Sequence, residues 1–369
     1  MKRSILFFFF IPWFIDDVVA DSSWALYRGN AAATGQADPA VRLAGNMTIA
    51  WEQQLERGDF ETTPIIVGNS IFIGTRGEGM QSRDLQTGNL KWVHNIPNDI
   101  ASPAAYFEGT IFVGDIQGLL YALDSEAGYN KWTFDAKKTI DSGPNVDVQT
   151  KRIIVASQSG SLFALEADSG ELVWEYKTEE AIQCFPSISG RHCFVAGCDS
   201  FLHVVNLDTG KGVSKIPLDS QTGSTPAIVG DFAFVGTEGR EFLCIDWKEG
   251  QIIWRFEMQR GVQAPAAYKD GILIFGGKDR TIYAVDAKTG KGRWKRVTRG
   301  RIEGGAVIVG NKVYIPSMDS SLYVLDLTTG RLLESIELTG RLAASPAVVS
   351  GWIVIATDEG ILTGLHPAR

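Results

Sequence analysis

Two groups of side chains in this chain are of types that could do chemistry. The first is a carboxylate that returns at Asp84, Asp124, Glu166, Asp246, Asp286 and Asp326, with Asn206 in the same slot. A catalytic acid or base is needed once, whereas a turn is needed at every repeat. A short carboxylate accepting hydrogen bonds from the backbone N–H groups just ahead of it is ordinary turn chemistry. The second group is Cys184, His192, Cys193, Cys198 and His203, crowded into one stretch, with Cys244 further on. Cysteine and histidine are zinc ligands by type, but the register argues against a common site. Aligned on Asp124 and Asn206, the segment sets Phe194 opposite His203, so Cys193 faces the other side of its strand. His203 fills the slot of Tyr121, Phe163, Tyr283 and Tyr323, and Cys244 that of Ala122, Ala164 and Ala284. Packing is the favoured reading. A disulfide such as Cys184 to Cys198 and a zinc site stay open, and four cysteines allow three complete pairings. No residue is assigned a catalytic, cofactor-binding or metal-binding role.

The elements that carry these residues are written in a frame of about forty residues. A turn glycine recurs at Gly88, Gly128, Gly170, Gly210, Gly250, Gly290 and Gly330, in steps of 40, 42, 40, 40, 40 and 40. Four residues on stands Trp92, Trp132, Trp174, Trp254 or Trp294, with Ser214 and Glu334 where the pattern lapses. Short β-type runs filling such a period mark a β-propeller, one four-stranded blade per repeat. First-strand prolines at Pro64, Pro103, Pro144, Pro186, Pro226, Pro265 and Pro346, with Gly305 in the remaining slot, count eight blades. The fold class is therefore all-β, an eight-bladed propeller of four-stranded antiparallel blades over residues 43–369. Its last repeat ends before a fourth strand, while Ile49 to Leu55 reads as a lone fourth strand with Trp51 in the tryptophan slot. The ring should close by pairing the two ends.

Ahead of the ring, residues 1–20 carry Lys2 and Arg3, an apolar run from Ile5 to Ile15, and Ala20 before a cut. That is the pattern of a secretory signal, too short for a good membrane span, so export to the periplasm or outside the cell is expected, with cleavage after about Ala20. No cysteine stands near the cut to carry a lipid. Residues 21–42 form a lead-in segment. A net charge of −8 disfavours a nucleic-acid partner. A soluble monomer with no transmembrane segment and no bound cofactor is expected.

Because strands alternate in direction within a blade, the loops entering each first strand and those joining second to third strands share one face of the ring. One half of that face carries the candidate interaction residues Arg240, Arg260, Lys278, Arg280, Arg299, Arg301 and Arg341. The other half carries Asp99, Asp115, Asp141, Glu179, Glu180, Asp199 and Asp219. Such a split could steer a charged partner to one side. Glu238, Asp279, Asp319 and Asp358 dilute the basic half, and Lys137 and Lys138 the acidic one; a solvated rim without a partner is the alternative.

The run from Ala284 to Trp294, with Asp286, Gly290 and Trp294 in the frame, resembles the tryptophan-docking motif of the PQQ-like propellers, as does Ala122 to Trp132. The resemblance covers the mature chain and implies that each tryptophan stacks on the turn of the neighbouring blade. The family includes quinoprotein dehydrogenases, the outer-membrane assembly factor BamB and other exported propellers. Quinoproteins are longer, hold calcium beside the quinone and carry a disulfide between adjacent cysteines; no two cysteines here are adjacent, and their active-site glutamate, asparagine and aspartate have no matching positions. The BamB-like branch implies a non-catalytic scaffold whose partner is an envelope or extracellular protein, such as a barrel-assembly component. A small-molecule or sugar-binding propeller and a PQQ-dependent oxidoreductase are the alternatives.

Overall fold

A computed structural model describes residues 23–56, 58–60 and 62–368; the signal segment expected at 1–20 lies outside them. Eight four-stranded antiparallel sheets stand around one axis. Seven are consecutive in sequence: blade 1 (residues 65–94), blade 2 (105–135), blade 3 (145–177), blade 4 (187–217), blade 5 (227–257), blade 6 (267–297) and blade 7 (307–337). Blade 8 takes three strands from 347–367, and its outer strand is Met47–Gln54, which pairs antiparallel with Ile361–Pro367. Ring closure by the N-terminal strand is thus as the repeat count requires. It removes the open edge that an unclosed sheet presents.

The recurring Asp slot is turn chemistry. Asp84 Oδ1 accepts from the N–H groups of Gln86 and Thr87, each at 3.0 Å, and Asp124, Asn206, Asp246, Asp286 and Asp326 repeat the arrangement. At Asp286 the Arg293 guanidinium and the Thr289 hydroxyl hold the carboxyl down at about 2. The turn glycines sit at positive φ, as at Gly290 with 70°, and their missing side chain makes room for the neighbour's tryptophan. A Cβ on Gly290 would lie 2.7 Å from the Trp254 ring, and one on Gly88 2.5 Å from Trp51. The indole N–H groups then donate to the turn carbonyls: Trp51 to Leu85, Trp92 to Ser125, Trp132 to Ala167, Trp174 to Leu207, Trp254 to Ala287 and Trp294 to Leu327, at 2.8 to 3.1 Å. Tryptophan docking, implied by family resemblance, is therefore present.

The two lapses are repaired differently. Opposite Ser214, Gly250 faces open space, and Trp247 of blade 5 packs back on His192 and Phe194 of blade 4 instead. At the other lapse Glu334 accepts from the backbone N–H of Met47, tying blade 7 to the closing strand.

The lead-in runs inside the ring. Each innermost strand has only three residues, and its middle N–H points to the axis, where an unpaired donor would be costly. Residues 24–37 follow the channel wall and satisfy six of these groups in turn. Ile66 donates to Trp24, Tyr106 to Ala25, Ile188 to Ala31, Ile228 to Ala32, Tyr268 to Thr34 and Ile308 to Gly35, at 2.7 to 3.0 Å. Blade 3 solves the problem with a side chain: Asn145 accepts from the Val146 N–H and donates to the carbonyls of Ala31 and Pro186. The segment then leaves beneath blade 8, where Gly351 donates to Arg42. Close approach to six strands explains the small residues Ala31, Ala32, Ala33 and Gly35.

Arg28 sits at φ 63° in a short turn, 0% exposed, and its guanidinium donates to the carbonyls of Ala266 and Ala306 on neighbouring blades. Burial lowers its pKa to about 10. Gly305 replaces the recurrent proline for a steric reason, since a Cβ there would stand 2.3 Å from Arg28 Nη1.

Two outcomes are expected. Trp51, 9% exposed on the closing strand, should cost about 3–5 kcal/mol when changed to alanine, and deletion of residues 43–56 should cost at least as much; unchanged denaturant midpoints would contradict closure. Gly305→Ala should destabilise by about 1–3 kcal/mol and cost less in an Arg28→Ala background. The residual is a contact with Pro265 Cγ at 2.8 Å. A double-mutant cycle with additive effects would contradict the proposed fit.

Candidate functional site

The loop face is held together by one repeated bond. In every blade an N–H of the turn between second and third strands donates to a carbonyl of the loop entering the first strand: Arg76 to Asp59, Ile116 to Asp99, Gln158 to Thr139, Cys198 to Ala181, Glu238 to Gln221, Lys278 to Gly261, Met318 to Arg301 and Asp358 to Arg341. Both loop sets therefore lie on one face, as strand alternation requires. Arg240, Arg260, Lys278, Arg280, Arg299, Arg301 and Arg341 all fall in these loops.

Their charge is less free than their spacing suggests. Lys278 pairs with Glu238 at 2.7 Å, Arg299 with Glu337 at 3.4 Å, Arg301 with Glu303 at 3.2 Å and Arg341 with Asp358 at 2.6 Å. The acidic half is also engaged. Glu179 meets Lys215 and Asp219 meets Arg255, each from the outer strand of the next blade. Asp115 accepts from the N–H groups of Gln117 and Leu119 and the Tyr121 hydroxyl, so it is a turn cap.

The tyrosine slot next to those turns is a second repeated clasp. Tyr283 donates to Asp279 at 2.7 Å and Tyr323 to Asp319 at 2.9 Å. In blade 4 the slot holds His203, whose Nε2–H donates to Asp199 at 2.8 Å while Nδ1 accepts from Tyr176 of blade 3 at 2.9 Å. Burial lowers its pKa, with Asp199 opposing, so the imidazole is a neutral bridge between blades. Cys184 receives the Ala196 N–H, and all four cysteines are free thiols; the disulfide alternative is not formed. Among the described residues no three His, Cys, Asp or Glu side chains gather to hold a metal ion.

On the axis the same loops surround a funnel of 160 Å³ lined by Tyr27, Asp141, Ser142, Gln183, Phe185, Glu303 and others. Its floor is the lead-in. Tyr27 lies edge-on to Phe185, with ring centroids 5.5 Å apart, and its phenol is hydrogen-bonded with Ser345 and raised in pKa by burial. Spacing singled out Asp141 only as a member of the acidic rim; Tyr27, Gln183 and Glu303 carried no periodic signal. The usable hint was Gly305 standing where a proline recurs.

The funnel does not fit a quinone with its calcium. Pockets for ligands of that size run from about 300 Å³ upward, and the filled channel leaves about half of that.

Comparison with known proteins agrees with the fold. The sequence model of the family described as outer membrane protein assembly factor BamB matches residues 97–201 and 199–363. The quinone-dependent alcohol dehydrogenase subunit of Gluconobacter oxydans is 32% identical over 102 residues, covering 24% of this chain and 13% of that protein. The quinohemoprotein alcohol dehydrogenase of Comamonas testosteroni is 28% identical over 27% of this chain and 17% of its own. The chain thus spans less than a fifth of the curated relatives it matches. Among solved structures, BamB from Moraxella catarrhalis superposes with a TM-score of 0.74 at 17% identity, over 87% of this chain and 100% of that one. The Comamonas testosteroni enzyme superposes at 0.78 and 14% identity, over 94% and 81%. Such identities show a shared fold. With two overlapping matches running from blade 2 to blade 8, the chain belongs to the family of the outer membrane protein assembly factor BamB.

Proposed function

We propose that this protein is an exported, non-catalytic propeller scaffold whose loop face captures another protein of the cell envelope, as the name of its family suggests for barrel assembly. The observation that carries this reading is the filled channel. Residues 24–37 occupy the axis, and Arg28 is locked between blades 6 and 7, so the large surface left for recognition is the loop face. There Arg240, Arg260 and Arg280 flank ion-paired neighbours on blades 5 to 7, and carboxylates on blades 2 to 5 balance them. A face of mixed, mostly paired charge suits specific protein contact better than bulk attraction to a polyanion. Export follows from the leader pattern, with the periplasm or the exterior as the compartment.

Reversal of Arg260, Arg299 and Arg301 together to glutamate is the test. Surface ion pairs such as those of Arg299 and Arg301 contribute about 0–1 kcal/mol each, so the melting temperature should hold. Affinity capture from crosslinked envelopes, read by mass spectrometry, should recover barrel-assembly components with the wild type and lose them with the reversed face. Undiminished capture would sink the assignment of this face, and recovery of no envelope protein by the wild type would sink the scaffold reading.

A further inference from the structure

The clasps at the tyrosine slot differ in how they answer to acid. In blades 2, 6 and 7 the hydroxyls of Tyr121, Tyr283 and Tyr323 donate to Asp115, Asp279 and Asp319, each within its own blade. Phenols ionise near about pH 10 and carboxylates near about 4, so these bonds do not change between neutral and mildly acid solution. In blade 4 the slot holds His203, the one side chain among these that ionises near neutral pH. Its Nε2 stands 2.8 Å from Asp199 Oδ2, and a carboxylate only accepts, so Nε2 carries the proton. Nδ1 is then the lone pair that takes the Tyr176 hydroxyl at 2.9 Å, and this bond crosses from blade 4 to blade 3.

A second proton can enter the ring only at Nδ1, and its entry removes the acceptor. Tyr176 has no other hydrogen-bond partner among the described residues. The His203 and Asp199 side chains are 2% and 4% exposed, so water is poorly placed to take over. Four titratable groups face the ring: Tyr176 on the outer strand of blade 3, Glu179 in the loop entering blade 4, Asp199 in the turn before its own strand, and Lys215 on the outer strand of blade 4. Burial is the largest influence and holds the pKa below its ordinary value; Asp199 and Glu179 oppose it and Lys215 adds to it. Glu179 is itself engaged, with Lys215 at 2.8 Å, and the Lys215 ammonium lies over the Phe201 ring at 4.0 Å. We propose that His203 is an acid-operated latch of the seam between blades 3 and 4: a proton taken from solvent at Nδ1 releases Tyr176 and loosens this seam, while the seams beside Tyr283 and Tyr323 stay closed.

Nitrogen NMR of the imidazoles and thermal melts on the full mature protein test this at constant ionic strength. At neutral pH His203 should show the Nε2–H tautomer, and it should titrate below about 6.5. A histidine whose folded pKa is lowered takes its proton more readily once the chain unfolds. The bridge therefore contributes fully above about pH 6.5 and its contribution is lost as the pH falls below that value. The melting temperature should drop by about 2 °C or more on this account between about pH 7.5 and about pH 5. The double variant Tyr176→Phe with His203→Tyr copies the Phe256 and Tyr283 pair of blades 5 and 6 and should remove that part of the drop. His203→Gln keeps a donor for Asp199 and cannot titrate; it should act likewise, which keeps the test decisive if the double variant folds poorly. His192, whose pKa burial also lowers, is present throughout, so the difference between the curves belongs to His203. In acid, amide exchange across 172–182 and 199–204 should quicken relative to the matching stretches 252–262 and 279–284 in the same sample. Titration of His203 at or above about 6.5, the full wild-type pH dependence in both variants, or equal quickening at both seams would overturn the latch.

Discussion

Everything in this ring depends on how the innermost strands are satisfied where eight of them converge. Each is only three residues long, and its middle N–H points into a channel without another sheet edge to meet it. The chain supplies its own partner for six of them by threading residues 24–37 along the wall, and on blade 3 Asn145 takes the Val146 N–H while donating to Ala31 of the thread. That solution dictates the rest of the axis. The thread must be made of small residues, Arg28 must lodge between two blades, and blade 7 must give up its proline for Gly305. It also consumes the space in which a larger ligand would sit.

Around the rim the blades are joined by one device used six times, an indole laid on a glycine turn with its N–H on the turn carbonyl. Five of these turns are prepared for it by the carboxylate or asparagine that caps the backbone ahead, while Glu166 turns to Arg152 instead. The device tolerates interruption because the interface can be filled from either side, as Trp247 does opposite Ser214.

These rim features were legible in the sequence because they recur at a fixed spacing: the slots of Gly290 and Asp286 can be read seven times over and that of Trp294 five times, and the eighth blade follows from Trp51 and a truncated last repeat. The lead-in could not be read in the same way. It occurs once, has no period, and makes its contacts to backbone groups of residues as far away as Ala306, 278 positions beyond Arg28. The charge of the loop face was half legible. Arg299 and Arg301 were placed on the right face, but their partners Glu337 and Glu303 sit in slots that spacing alone does not mark as facing them. The funnel fell between these cases, with Asp141 visible as an acid and its place on the axis visible only in three dimensions.

The central claim is that the lead-in is part of the fold and closes the channel from within. Amide hydrogen exchange on the intact mature protein, read by mass spectrometry across peptides spanning 24–37 and the inner strands, tests it most directly. The account predicts that these peptides exchange as slowly as the central strands of the blades, because their N–H groups open only with the ring. Exchange of residues 24–37 at the rate of an exposed loop would show the channel to be open and contradict the account.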